Sequence, residues 1–158
     1  MINLISSTMD LDRREYYRDH TQLSMKGMQL SREEEERNLL KRSRDFLETA
    51  EYQTCRGLYD LAAFSFEQAL QLFLKAKLLA GGVDYPRTHS VRSLMEMLSE
   101  LVPEDRNLVV KNILEDYILE LSILEDAYIT SRYVMREFTR QEVEKLTRAV
   151  REIMRIVP

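Results

Sequence analysis

Residues 58–80, LYDLAAFSFEQALQLFLKAKLLA, form an apolar segment that constrains the fold more than any other part of the chain. Apolar residues recur along it every three or four positions, which is the spacing of one helical face. This face comprises Leu58, Ala62, Phe66, Ala69, Phe73, Ala76 and Ala80, with Leu61, Leu72 and Leu79 beside it. A membrane helix is excluded by its charged and polar residues, which are Asp60, Glu67, Gln68, Gln71, Lys75 and Lys77. The pattern therefore predicts a central helix that is surrounded by other helices and is closed by Gly81 and Gly82.

Four further segments show helical signals. Ser31–Glu34 and Thr139–Glu142 have the capping-box pattern, in which a hydroxyl and a glutamate satisfy the backbone donors of a helix start. Apolar stripes predict helices at about 31–55, 88–103, 104–132 with a bend or break near Ser122, and 139–157. We therefore expect an all-α, up-and-down antiparallel bundle of four to five helices. Residues 1–30 show no sustained stripe and are expected to form a loosely attached N-terminal arm, so that the bundle domain spans residues 31–158.

The composition limits the partners and the compartment. A total of 23 Lys and Arg against 27 Asp and Glu gives a formal charge of −4, which argues against wholesale coating of nucleic acid but leaves room for a local basic face. Cys55 is the only cysteine, and no apolar run reaches the roughly 18 to 20 residues of a membrane span. We therefore expect a soluble, cytoplasmic protein with no membrane association.

The histidines do not fit a metal site. His20 and His89 are the only two, and the residues three positions before them are Tyr17 and Pro86 rather than the carboxylates of a dimetal helical bundle. A zinc site built from cysteine and histidine would have too few ligands. We therefore expect no metal and no cofactor.

His89 lies in RTHSVRSL, at the predicted start of the third helix, and has two interpretations. Its ring can pack at the helix start and hydrogen-bond a neighbouring backbone group. Alternatively, the N-terminus of the helix, capped by Ser90 or Thr88, can bind an anion such as phosphate, with Arg87 and Arg92 nearby.

Basic residues approach and line the last helix: Arg132, Arg136, Arg140, Lys145, Arg148, Arg151 and Arg155. The glutamates among them favour solvated ion pairs on an exposed face. The four-residue spacing of Arg132, Arg136 and Arg140 suits bidentate contacts to phosphate instead. Tyr128 and Tyr133 can stack on bases, or pack with the hydroxyl at the rim of the core.

Four stretches occur in the order that is found in a known family. They are a first helix with arginines, Phe46 and Ala50, then GLYDLAAFSFEQALQLFLKAKLLAGG, then THSVRSLMEML, then AYITSRY. The second stretch has the tyrosine, the small residues and the glutamine-alanine and lysine-alanine pairs of the family at Tyr59, Ala62, Ala63, Gln68, Ala69, Lys75 and Ala76. Over residues 35–157 the chain resembles the HEPN family of helical-bundle domains, whose name stands for higher eukaryotes and prokaryotes nucleotide-binding.

The resemblance implies a homodimer, often encoded beside a minimal nucleotidyltransferase in a toxin-antitoxin-type pair, with roles from RNA cleavage to nucleotide binding. Catalytic HEPN members carry an arginine followed, after four to six residues, by a histidine. From Arg132 that histidine would fall at residues 137–139, which are Glu, Phe and Thr, and no histidine follows His89. The absent proton-transfer group is typically worth roughly 10² to 10⁴ in rate.

A noncatalytic HEPN-like domain is therefore the first hypothesis. It would dimerise and bind a nucleotide, RNA or a protein partner, and its expected site residues are Arg132, Tyr133, Arg136, His89 and Tyr128. One alternative is a metal-independent ribonuclease in which folding or dimerisation brings His89 and Arg132 together. The other alternative is a purely structural bundle with solvated arginines. The apolarity of the central helix favours a dimer, although a five-helix monomer could bury that helix internally.

Overall fold

The computed structural model describes residues 30–133 and 136–157, apart from the side chains of residues 131–133. These residues form six helices and no strand: α1 Arg32–Cys55, α2 Tyr59–Ala80, α3 Val91–Leu101, α4 Glu104–Asp116, α5 Ile118–Tyr133 and α6 Arg140–Ile156. The predicted all-α class is confirmed. The helices belong to one compact unit, Arg32–Pro158. Residues 1–29 of the predicted N-terminal arm lie outside the described residues.

Helix α2 is the centre of the bundle. It contacts α1, α3, α5 and α6, and side chains on all of its sides are buried. Phe66, Leu70, Leu74 and Leu78 have no solvent exposure at all. Because a single chain already covers α2 in this way, the apolarity of this helix is not an argument for a dimer.

Helices α1 and α2 form an antiparallel hairpin. The Ser43 hydroxyl donates to the Ala69 carbonyl at 2.7 Å, and the Ser65 hydroxyl donates to Gln53 Oε1 at 2.8 Å. Residue numbers therefore rise along α1 while they fall along α2. Gly57 lies in the turn with φ +74°, a left-handed conformation that a residue with a Cβ adopts at a cost.

The segment predicted as one helix from about residue 104 to 132 is two helices. The break falls at Tyr117, with φ −110° and ψ 19°, rather than near Ser122. Helix α4 packs on α3, whereas α5 packs on α2, α3 and α6. One straight helix could not follow both sets of partners, so the chain changes direction between them.

Hydrogen bonds fix the starts of α3 and α6. The Thr139 hydroxyl accepts the Glu142 N–H at 3.3 Å, and Glu142 Oε2 accepts the Thr139 N–H at 2.8 Å, which confirms the predicted capping box. The Ser90 hydroxyl accepts the Ser93 N–H at 3.1 Å and caps α3. Helix α1 begins at Arg32, directly after the predicted cap residue Ser31.

Truncating an aromatic side chain on α2 should destabilise the protein far more than the same change on the surface. Phe66 is fully buried, so we expect Phe66→Ala to lower the free energy of unfolding by about 3–5 kcal/mol. Tyr52 on α1 is 64% exposed, and Tyr52→Ala should change that free energy by less than about 0.5 kcal/mol. Urea unfolding followed by circular dichroism measures both, and equal losses would contradict the central position of α2.

Candidate functional site

The structure brings together two of the predicted site residues, His89 and Tyr128. His89 directly precedes the cap residue of α3, and Tyr128 lies on α5. Their rings stack with centroids 4.1 Å apart and an interplanar angle of 19°, and His89 Nε2 lies 2.9 Å from Tyr128 Oη. The ring of Phe64, on α2, lies 6.3 Å from the Tyr128 ring. The helices α2, α3 and α5 therefore meet at this pair.

A cleft of about 260 Å³ opens beside the two rings. It is lined by His89, Ser90, Glu125, Tyr128 and Ile129. His89 is exposed and Tyr128 is half-buried, so both can be reached from solvent. The cleft combines an imidazole, a phenol and an apolar side chain, which is the mixture of apolar walls and few polar groups that ligand sites use.

The N-terminus of α3, for which an anion site was one of two interpretations, already holds an internal anion. Glu125 Oε1 accepts the Arg92 N–H at 3.1 Å and the Ser90 hydroxyl at 2.7 Å, while Oε2 accepts from Arg92 Nε at 2.9 Å. Burial raises the pKa of Glu125, but the hydrogen bonds from Arg92 and Ser90 outweigh it, so this pKa lies below its usual value. A phosphate at this helix end would have to compete with the Glu125 carboxylate.

A row of polar side chains runs along α2 behind the cleft. In the sequence these residues excluded a membrane helix, and Lys75 also belonged to the family pattern. Glu67, Gln71 and Lys75 follow each other at four-residue spacing and are 0%, 3% and 9% exposed. Gln71 Nε2 donates to Glu67 Oε1 at 2.7 Å, and Lys75 Nζ donates to Gln71 Oε1 at 3.0 Å. The same Gln71 Nε2 lies 3.3 Å from His89 Nδ1, which connects the row to the cleft.

Burial dominates the protonation of this row. It raises the pKa of Glu67 from 4.5 to about 7, although hydrogen bonds from Gln71 and Gln68 and the charge of Lys75 act in the opposite direction. Burial also lowers the pKa of Lys75, and the nearby Glu67 opposes that change. The Lys75 ammonium further lies 5.4 Å from the centre of the Tyr85 ring, and the Tyr85 hydroxyl donates to Glu35.

The structure gives the predicted residue Arg136 intramolecular partners. Its Nη2 lies 3.1 Å from Glu142 Oε1, its Nη1 lies 3.8 Å from Asp126 Oδ2, and its guanidinium lies 4.6 Å from the centre of the Phe138 ring. Two carboxylates therefore balance this charge at the junction of α5 and α6. A phosphate ligand of Arg136 would have to displace at least one of them.

The other two predicted residues, Arg132 and Tyr133, have side chains outside the described part of the structure. Their backbone belongs to α5, which ends at Tyr133. One turn of helix therefore separates position 132 from Tyr128, and both positions lie on the same face of α5. This register places position 132 next to the cleft along the helix axis.

Three of the four arginines of α6 form the ion pairs expected of a solvated face. Arg140 pairs with Glu144, Arg155 pairs with Glu152, and Arg151 pairs with Glu51 of α1. Exposed pairs of this kind contribute about 0–1 kcal/mol each. They support the interpretation of these arginines as surface charges rather than as a ridge for phosphate.

Residues 30–133 and 136–157 contain no group of three metal-ligating side chains. In the same residues, no helix is both long and apolar enough to span a membrane.

Replacing Glu67 should flatten the dependence of stability on pH. Because its pKa is about 7 in the folded chain and about 4.5 in an unfolded one, the native state binds more protons between these values, and stability falls as pH rises from 4.5 to 7. That fall is on the order of 3 kcal/mol. We expect Glu67→Gln to remove most of it in urea unfolding between these pH values, and the exposed Glu48→Gln to keep it. An unchanged slope in Glu67→Gln would contradict the raised pKa.

The comparisons with known proteins agree with this architecture. The profile of the HEPN domain matches residues 36–158, which is more than half of the chain. A solved structure, the crystal structure of TT1696 from Thermus thermophilus, is similar with a TM-score of 0.61 and 27% sequence identity, over 77% of this chain and 94% of that chain. A comparison with curated proteins gives no match. From the profile match over α1 to α6, the chain belongs to the HEPN domain family.

Proposed function

We propose that this HEPN domain binds a nucleotide or RNA without cleaving it, at the cleft beside His89 and Tyr128. The observation that carries the proposal is the stacked pair itself, an exposed imidazole on a tyrosine, one helical turn before the position of Arg132. Aromatic and imidazole rings contact nucleobases, and a guanidinium contacts phosphate through paired hydrogen bonds. A single turn of α5 therefore carries both kinds of contact that a nucleotide requires.

The size of the cleft favours an extended ligand that lies across it. Its volume of about 260 Å³ is below the roughly 300–1,000 Å³ of pockets that enclose a drug-sized molecule. One base or one phosphate group fits such a space, and the rest of the ligand would extend over the surface. Single-stranded RNA has this shape, and its unstacked bases are available to side chains.

Binding without cleavage is supported by the shortage of proton-transfer groups. No histidine follows Arg132 in the chain, and His89 is the one histidine within the described residues. Cleavage of a phosphodiester by general acid and base needs two groups that exchange protons with the substrate. Glu125 is the carboxylate that lines the cleft. Its oxygens accept hydrogen bonds from Ser90 and Arg92, so this group is already engaged.

A metal-independent ribonuclease is the second candidate, and one observation favours it. Folding brings His89, from the start of α3, against Tyr128, one turn before the position of Arg132 on α5. An arginine and a histidine near one phosphodiester are the groups that the family uses for cleavage. In this candidate His89 transfers the proton and Arg132 binds the phosphate.

The family resemblance also supports partners for this domain. We include a homodimer in the proposal, and a minimal nucleotidyltransferase as a protein partner. Large apolar side chains are exposed on α4, at Leu108 and Val109, and at the start of α5, at Ile118 and Leu119. An exposed apolar group of this kind suits a protein interface better than contact with water.

Replacing Arg132 should weaken the binding of RNA. We expect wild-type protein to shift labelled single-stranded RNA and leave it intact, and Arg132→Ala to bind about 10- to 100-fold more weakly, which corresponds to the loss of charged hydrogen bonds. The dependence of log affinity on log salt should also become shallower by about 0.7, the value for one lost phosphate contact on a single strand. Gel shifts at several salt concentrations measure both quantities.

Matched variants separate this proposal from its alternatives. Arg140→Ala removes an exposed, ion-paired arginine from α6 and should bind RNA as the wild type does. If Arg132→Ala and Arg140→Ala bind equally, Arg132 is not a phosphate ligand. Cleavage of the RNA that is lost in His89→Ala and kept in His20→Ala would establish the ribonuclease instead.

A charge at the α4–α5 junction should separate the proposed dimer. We expect the wild type to sediment at twice the mass of one chain, and Leu119→Asp to sediment as a monomer with unchanged helical content, because Leu119 is 72% exposed in one chain. Lys145→Asp, on the exposed face of α6, is the control and should remain dimeric. Wild-type protein that sediments as a monomer at all concentrations would rule out the homodimer.

A further inference from the structure

The residues of α5 at the cleft follow one face of the helix in a fixed order. Glu125, Tyr128 and Ile129 line the cleft, and position 132 lies one turn further along α5. Steps of three, four and seven residues keep these positions on one helical face. At a rise of about 1.5 Å per residue, position 132 lies about 10 Å from Glu125 along the helix axis. A ligand that lies along this face therefore meets the carboxylate at one end and the position of Arg132 at the other.

The Glu125 carboxylate presents a negative charge to the cleft but no vacant acceptor. Its Oε1 accepts the Ser90 hydroxyl at 2.7 Å and the Arg92 N–H at 3.1 Å, and its Oε2 accepts from Arg92 Nε at 2.9 Å and from Nη2 at 2.5 Å. Two carboxylate oxygens have about four lone-pair sites in total, so these bonds fill them. Burial raises the pKa of Glu125, but the hydrogen bonds from Arg92 and Ser90 lower it by more, so the group is ionised at neutral pH. A ligand therefore meets the charge of Glu125 without gaining a hydrogen bond from it.

A phosphate in the cleft would lie beside this charge without a cation to offset it. Among the described side chains, no lysine or arginine lines the cleft. The guanidinium of Arg92 is already paired with Glu125. At about pH 8 an imidazole is neutral, so His89 adds no positive charge there. The charges around the cleft therefore disfavour a phosphate group inside it.

An uncharged ring avoids this repulsion and suits the other walls of the cleft. Ile129 is 56% exposed and supplies an apolar surface, and the lining also includes the side chains of His89 and Tyr128. Nucleobases are flat and contact side chains of this kind. The two parts of a nucleotide thus have different places along α5, the base beside Glu125 and the phosphate about 10 Å away at position 132.

We propose that the cleft is a base subsite from which Glu125 excludes phosphate, so that a bound nucleotide lies along α5 with its base in the cleft and its phosphate at position 132. This inference rests on the proposed function and deepens it, because it assigns each part of the ligand to one part of the site. Glu125 is then a specificity-determining residue that acts through its charge. A nucleoside, which has no phosphate, should enter the cleft, and inorganic phosphate should not.

Titrations of the wild-type protein, followed by nitrogen–proton correlation NMR, test this assignment. The probes are adenosine, guanosine, cytidine and uridine, one at a time, and inorganic phosphate, at equal concentrations and constant ionic strength at about pH 8. We expect at least one nucleoside to shift the amide signals of Ser90 and Ile129, which line the cleft, and phosphate to leave the Ser90 signal in place. The proposal is overturned if no nucleoside shifts these signals or if phosphate shifts Ser90 as a nucleoside does.

Glu125→Gln tests the cause, because it removes the charge and keeps the shape of the side chain. Arg92 and the backbone N–H groups at the start of α3 then lose their anion, so we expect inorganic phosphate to shift the Ser90 signal and to bind at least about tenfold more tightly than to the wild type. Glu96→Gln is the matched control, since Glu96 is exposed on α3 and its charge also acts on Arg92, but it does not line the cleft. Phosphate that stays excluded from folded Glu125→Gln, or enters Glu96→Gln equally, contradicts the role of Glu125.

The two proposals fail in different ways. Wild-type protein that leaves labelled single-stranded RNA unshifted contradicts the proposed function. Wild-type protein that binds this RNA, but whose cleft takes up inorganic phosphate or no nucleoside, contradicts the base subsite alone. The wild-type titration gives this answer without any variant, so a loss of folding in Glu125→Gln does not leave the question open.

Discussion

The burial of α2 on all its sides is the constraint on which the rest of the structure depends. A helix without a solvated face must be covered by neighbours, and α1, α3, α5 and α6 provide that cover. This requirement sets the position of the cleft, because α3 and α5 meet over α2 where His89 and Tyr128 stack. It also explains why the long segment after Pro103 divides at Tyr117, since α4 and α5 have different partners.

Much of this fold follows from the sequence because helical periodicity and capping are local properties. The central helix, the capping box at Thr139 and the cap at Ser90 are all predictable from residues within a few positions of each other. The break at Tyr117 is not, and the predicted position near Ser122 is wrong, since packing against other helices sets the break and no breaker residue marks it. Contacts between helices that are distant in sequence cannot be inferred from the sequence of one segment.

The candidate site is only partly predictable for the same reason. His89 and Tyr128 can be named separately, each for its chemistry, but their stacking joins residues 39 positions apart. The four-residue spacing of Glu67, Gln71 and Lys75 is visible in the sequence. That these three residues form a buried row cannot be inferred from the spacing alone, because the burial of every side of α2 requires the neighbouring helices. Likewise, nothing local indicates that Glu125 supplies the anion at the start of α3.

The polar row on α2 has a consequence for the uniqueness of the fold. A helix that is apolar on every side could dock in several rotations about its own axis with similar burial of surface. In any rotation other than the observed one, Gln71 would lose its contact with His89 and Lys75 its contact with the Tyr85 ring, while the hydrogen bonds among Glu67, Gln71 and Lys75 would turn with the helix. Every buried side-chain nitrogen and oxygen among the described residues has a partner in the observed arrangement. The contacts of this row with His89 and Tyr85 therefore favour the observed rotation of the central helix.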